Sequence, residues 1–520
     1  MKKQLIILLL SINYFTANSQ IAVGGGVPDA SAVFQLNSTT KGFVPPRMSS
    51  TQRQAIVNPI DGLTVFDTST DSFWFYNNAK WNQLGTSQYG SVYKQPTDIY
   101  DQNGASSDRF GSVVSMTTSL SSNNYAIIGV PGDNGGRGNC YRAFLVINNS
   151  WFLNQILPSV VLAGDGYGNA VAGERINSGD AFIVGSSLDD STNVNSGSAY
   201  IFSGSGKSFT NKIVAGDNLG KAANAHFGRS VDIACKNTSN NTGKGFAIVG
   251  ASGAGGGKGA VYIYKFNPNT LQWSLESNLI DPNGVAGDSL GLSVSLYYDV
   301  DVDEAWAFAG APYDDEIGKT NIGSVLVYRK AIGSAAWVNV AKITPDDGLD
   351  NDLFGYAIAN CFECQKVMVG SPGKSSNIGR SLDLTLSSIV GNTATFTTTI
   401  IPNSGNGGGG SGSGFGMGST ISATAKAGCN NISLVLGSVS GLLPGATFYN
   451  FGFARLLKYN GASWSTVISE ITDPNPKTGY GYGRAVSISP ITNLIVIGAP
   501  SEKINGNFSQ GKVQFVRIDE

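Results

Sequence analysis

Carboxylates at alternate positions can wrap a hard, highly coordinated cation, and one stretch offers them: Asp299-Val-Asp301-Val-Asp303. The plainer reading of Asp299, Asp301 and Asp303 is a solvated acidic hairpin tip. No cofactor is required by any other motif. Catalysis has little to stand on. His226 is the only histidine, and no serine or cysteine can be matched with a histidine and an orienting acid. No His/Cys/Asp group has zinc spacing, and nothing selects a carboxylate pair for glycoside hydrolysis. The glycine-rich run 403–414 lacks the Gly-Lys-Ser/Thr ending of a phosphate loop and reads as a connector. The expectation is a non-enzyme.

Two further sets could do chemistry. Cys361 and Cys364 stand in Cys-Phe-Glu-Cys between two predicted strands, which suits a hairpin disulfide or two free thiols better than a redox centre at a helix start. Cys140, Cys235 and Cys429 lie far apart and cannot be paired from sequence. Asp108, Asp165, Asp288 and Asp352 each stand two residues before an aromatic- or leucine-glycine pair. At such places a carboxylate accepts backbone N–H groups in a turn, so a structural role is expected.

What must position these residues is a repeat. Phe110-Gly111, Tyr167-Gly168, Phe227-Gly228, Leu290-Gly291, Phe354-Gly355, Phe415-Gly416 and Tyr482-Gly483 recur at intervals of 57 to 67 residues. Each is followed by a small-residue strand, a Gly-Ala-Pro-like stop such as Gly310-Ala-Pro312, and an alternating strand such as Gly323-Ser-Val-Leu-Val-Tyr328. A fourth strand commonly carries an aromatic: Trp151, Phe209, Trp273, Trp337 or Trp464. With 13% charged residues, 68 glycines and 10% aromatics, the chain is too apolar for disorder and too glycine-rich for a helical bundle. The expected fold is all-β, a seven-bladed β-propeller of four-stranded antiparallel blades over residues 88–520. The last repeat lacks a fourth strand, while a spare one precedes the first repeat. Residues 90–101 are therefore expected to complete the last blade.

Upstream, Lys2 and Lys3 precede an apolar run and small residues at 17–19, a secretory signal peptide over 1–19. Residues 20–86 form a small β-rich N-terminal module in which Trp74 and Trp81 are read as packing rather than a sugar platform. No later segment is apolar enough to cross a bilayer, and a net charge of -2 gives no reason to expect nucleic acid.

The phrase Asp-x-Phe-Gly, Gly-Ala-Pro, Gly-Ser-Val-Tyr and Asp-x-x-Gly resembles the FG-GAP repeat. That repeat occurs in integrin α-subunit propellers and, in closer form, in secreted bacterial proteins. Its calcium-bearing members carry Asp-x-Asp-x-Asp-Gly-x-x-Asp. Asp299, Asp301 and Asp303 match its first three carboxylates, so the resemblance makes them a calcium candidate, but Glu304 replaces the turn glycine and the last carboxylate is missing. The N-terminal module resembles leaders of secreted Bacteroidota and tail-fibre-like proteins. These resemblances imply a secreted or cell-surface adhesion or binding protein with a protein or glycan ligand, and self-association through the N-terminal module. The alternatives are a polysaccharide-active enzyme and a structural subunit of a fibre-like assembly.

Overall fold

The computed structural model describes residues 21–519 apart from 25–30, 32, 70–71, 78–79, 85–91, 94–96, 118–124, 146–150, 177–178, 204–207, 237–243, 317, 375–378, 403–419, 426–428, 439–451, 475–478 and 490–493. The segment 1–19 read from the sequence as a signal peptide, the glycine-rich run and Phe415-Gly416 lie outside the described residues. The chain divides into two compact units, Met1–Gln88 and Tyr89–Glu520.

In the first unit Arg47–Met48, Thr64–Asp67, Ser72–Asn77 and Lys80–Leu84 form one sheet. A one-turn helix, Ser50–Gln54, starts at a capping box made by Ser49 and Gln52. It delivers Arg53, which is buried, to Asp67 at 2.8 Å and over the Trp74 ring at 3.7 Å. Trp81 lies on the same guanidinium at 5.4 Å. Both indoles are therefore committed to packing around an ion pair.

Among the described residues of the second unit there are seven antiparallel sheets. They begin with the strands Val113–Met116, Ala170–Ile176, Phe227–Lys236, Ser293–Asp299, Ala357–Cys361, Thr420–Ala425 and Ala485–Ile488, and are called blades I to VII in that order. Each first strand packs against that of the next blade, and that of blade VII returns to blade I. The result is a closed propeller. The second strands end at Val130, Ala311 and Ala499, immediately before Pro131, Pro312 and Pro500, which have no N–H to continue a ladder. Blade VII takes its outer strand from upstream: Thr97–Ile99 pairs antiparallel with Lys512–Asp519, in the register Ile99 to Val513. Lys512 holds Asp98 at 2.9 Å, and Gln510 Nε2 donates to the Asp101 carbonyl at 2.6 Å.

The repeated phrase is the joint between blades. Phe110, Tyr167, Phe227, Leu290 and Phe354 each form a parallel bridge with the glycine that opens the third strand of the preceding blade. The Phe227 N–H, for example, donates to Ser196 O at 2.9 Å. The next residue needs a left-handed backbone (Gly228 φ +89) and turns its carbonyl toward that preceding blade. There it meets the glycine of the Gly-Ala-Pro stop. A Cβ on Gly250 would stand 2.0 Å from Gly291 O, and one on Gly498 would stand 2.1 Å from Gly111 O. A hydroxyl often reinforces the joint: Ser230, Ser293 and Thr420 donate to the carbonyls of Gly291, Gly355 and Gly483 at 2.7, 2.6 and 3.0 Å.

The cysteines differ from the expectation. Cys364 is bonded not to Cys361 but to Cys429 of blade VI, with 5.1 Å between Cα atoms. Cys361 ends a strand and turns into the core shared by blades V and VI. The short turn Phe362–Cys364 then carries Cys364 toward the neighbouring blade. Cys140, Cys235 and Cys361 are free and buried, and burial pushes all three thiols up.

Candidate binding site

The seven first strands enclose a central cavity of about 660 Å³. One residue beyond the position paired with the stop glycine, every blade presents a β-branched residue to it: Val114, Val171, Val231, Val294, Ile358, Ile421 and Val486. The next level is small or polar: Ser115, Ala172, Asp232, Ser295, Ala359, Ser422 and Ser487. These polar groups knit the wall together. Leu296 N donates to Asp232 Oδ2 at 2.8 Å, Ile488 N to Ser422 Oγ at 3.2 Å, and Met116 N to Ser487 Oγ at 2.9 Å. In each case one blade's side chain satisfies the following blade's backbone.

Asp232 stands where its counterparts are serines or alanines, and sequence reasoning missed it. Desolvation in the wall pushes its carboxyl up to about 7, against the N–H groups of Leu296 and Ile233, which favour the charged form. A carboxyl raised from 3.8 holds its proton more tightly folded than unfolded, so its contribution is most favourable at low pH and is lost as pH rises through about 7. Asp232→Asn should therefore gain in melting temperature relative to the parent between about pH 4 and 7, with a flat difference above. A difference constant across that range contradicts this account of Asp232.

The loops before the first strands and those between second and third strands lie at one end of every blade, by strand direction. Here the four aspartates act in turns. The N–H of Ala105, Leu162, Val285 and Leu349 donates to Asp108, Asp165, Asp288 and Asp352 at 2.5, 2.7, 2.6 and 2.8 Å. Burial pushes the carboxyls of Asp108, Asp165 and Asp288 up, and the backbone bonds pull them down. Asp352 also meets Lys374 at 2.9 Å. Neighbouring charges are similarly spent: Lys342 contacts Asp281, Asp314 and Glu316, and Lys512 contacts Asp98 and Asp473.

What those turns hold outward is apolar. Leu162, Val285 and Leu349, at equivalent places in three blades, are 68%, 53% and 58% exposed. Leu188, Val194 and Phe508 from the other loops of this end are exposed as well. Sequence pattern did not single these residues out, because loop positions carry no strand alternation to read.

The calcium candidate lies at the opposite end, in the hairpin of blade IV. Asp303 adopts φ +57, and its carboxylate accepts from Tyr298 Oη at 2.7 Å. Asp299 Oδ1 accepts from the Asp301 N–H at 3.0 Å, and Glu304 pairs with Arg329 at 2.6 Å. Among the described residues no three His, Cys, Asp or Glu side chains converge as a metal site. His226 occupies a joint turn, φ +56, with Nδ1 at 3.2 Å from Ser187 O.

Among known families, the model of the FG-GAP repeat matches residues 152–202, and that of the phage tail like trimerisation region matches residues 22–101. No curated protein matches the chain. Among solved structures it is similar to the six-bladed propeller lectin of Aleuria aurantia, with 10% identity, 70% of this chain and 97% of that chain covered, and a TM-score of 0.37. A mutant of that lectin bound to α-methyl-L-fucoside aligns with 10% identity over 71% and 99% of the two chains, TM-score 0.38. No helix among the described residues is long and apolar enough to cross a membrane.

Proposed function

We propose that this FG-GAP repeat chain is an exported, non-catalytic recognition protein that holds a propeller out in several copies. The observation that carries the reading is the apolar rim: Leu162, Val285 and Leu349 are exposed on turns fixed by buried aspartates. Exposed aliphatic side chains on a rigid scaffold suit a protein ligand. A sugar-binding face would more naturally offer aromatic platforms, and among the described residues of this rim Phe508 is the one exposed aromatic. Joining the copies falls to residues 22–101, which match the phage tail like trimerisation region. The small first unit supports this, since Val33, Phe43, Val44, Val57 and Ile60 are 66 to 83% exposed, more apolar surface than a lone module of this size normally leaves to water. Three linked copies would convert a weak contact into avid binding.

Leu162→Lys/Val285→Lys/Leu349→Lys tests the reading, because these side chains can change without loss of packing. Arrays of immobilised cell-surface proteins and glycans, probed with parent and variant chains, should give protein spots that the variant loses while its melting temperature is kept. Binding confined to glycans, or unaffected by the substitutions, contradicts the proposed face.

A further inference from the structure

Blade V differs from the others at its outer edge. Its third strand, Arg380–Val390, is the longest among the described residues of the ring at 11 residues, while its second strand, Lys366–Ser371, stops at the pair Lys366–Thr385. Beyond that point a two-stranded ribbon projects, turning at Gly391 and Asn392 between the paired Val390 and Thr393. The returning strand, Thr393–Ile400, reads Thr-Ala-Thr-Phe-Thr-Thr-Thr-Ile. Ala394 is buried and Phe396 packs on the blade core, but Thr397, Thr398, Thr399 and Ile400 are exposed in succession, so both faces there are open. Thr393, Thr395, Thr397 and Thr399 stand in a row on one face, by the two-residue period of a strand.

Outer strands normally defend their open edge with charge. Lys212, Glu276, Lys342, Glu470 and Asp98 stand in the outer strands of blades II, III, IV, VI and VII. That of blade I, Trp151–Gln155, is short, and its Trp151 stacks on Phe515 at 3.6 Å. Thr393–Ile400 has eight residues, no charge and no proline, and among the described residues no strand pairs with its outer side. Threonine favours strands, and cross-strand threonine pairs stabilise sheets.

We propose that Thr393–Ile400 is a strand-pairing edge whose occupant is the same strand of a second copy, running antiparallel about Phe396. The pattern is symmetric about that residue except at Ala394, which would face Thr398. With Phe396 opposite its counterpart, Thr395 faces Thr397 and Thr393 faces Thr399, each pair twice, with no like charges opposed. A self-complementary patch closes as a twofold pair. This contact is separate from the joining of copies by residues 22–101 and would link such groups to one another.

Sedimentation of the full chain from about 1 to 100 µM, the range of weak self-association, tests it. The mass should at least double reversibly relative to its value at the lowest concentration. Thr395→Lys/Thr397→Lys should abolish the doubling with the melting temperature unchanged. Oxidised Thr395→Cys/Thr397→Cys should give a covalent dimer, whereas Thr397→Cys alone, facing a threonine, should not. Absence of doubling, doubling that survives the lysines, or equal cross-linking by the single cysteine each overturns the proposal.

Discussion

Gly250→Ala should cost about 3 kcal/mol or more, although it adds a single methyl group to a buried strand. The added carbon would stand 2.0 Å from the backbone carbonyl of Gly291 and 2.3 Å from Ser230 Oγ. Ser230 can rotate, but the carbonyl cannot withdraw, because Gly291 is fixed by its own N–H bond to Gly310 O at 2.9 Å and by Ser230 Oγ at 2.7 Å. Relief would require blades III and IV to move apart, and in a closed ring that displacement is shared by the remaining joints. Gly256→Ala is the matched control. It has φ +74 and nothing within 4 Å of the new carbon, so only the left-handed backbone cost of about 1–2 kcal/mol is expected. Denaturant midpoints of the two variants decide the matter. Equal losses would mean that the stop glycine is a conformational requirement and not a contact between blades.

Lys366→Met should be the second severe change, with a loss of about 3–5 kcal/mol. Lys366 is buried and gives its ammonium to Asp383 Oδ2 and Thr385 Oγ1, both at 2.8 Å. The same Asp383 oxygen accepts Trp464 Nε1 of blade VI at 2.8 Å, so one carboxylate ties two blades. Removing the lysine leaves that carboxylate buried with only neutral donors. Lys366→Met/Asp383→Leu should recover most of the loss, since an apolar pair of similar size avoids the desolvation of both charges. Recovery should remain incomplete by about 1–3 kcal/mol, because Trp464 Nε1 is then left without its acceptor. Thermal melts of the parent, the single and the double variant close the cycle. A double variant as unstable as the single would mean that the pair is not an isolated couple.

The period, the strand order and the turn role of Asp108, Asp165, Asp288 and Asp352 could be read in advance because each rests on residues close in sequence. The likeness of Asp101-Gln-Asn-Gly104 to Asp281-Pro-Asn-Gly284 is of the same kind. In both, Asp Oδ1 accepts the N–H two residues on at 2.9 Å. What escaped is whatever arises between repeats. A period says which residues are equivalent and not which of them touch. The contact between Gly250 and Gly291 therefore leaves no mark in the sequence, and Cys364 could not be assigned to Cys429, 65 residues away. Asp232 was passed over for the same reason, since its partner is the backbone of another blade. The acidic hairpin of blade IV is legible only in part: the alternate carboxylates stand in the sequence, whereas the left-handed backbone at Asp303 and its bond from the Tyr298 hydroxyl do not.

The proposed function rests on where the repeat spends its residues. Glycines, serines and aspartates of the phrase are consumed in joints and turns, and the proposal assigns recognition to exposed loop side chains such as those of the apolar rim. That proposal requires a ring rigid enough to hold its loops in place, and the ring in turn requires both ends of the second unit in blade VII. Ile99 is buried there, Lys512 bridges Asp98 and Asp473, and Gln510 reaches the Asp101 carbonyl. The measurement that tests this most directly compares the thermal melting of chains 89–520 and 102–520. The shorter chain should melt well below the longer one, because it exposes the edge of Lys512–Asp519 and leaves Lys512 without Asp98. Coincident melting curves would contradict closure of the propeller by the strand Thr97–Ile99.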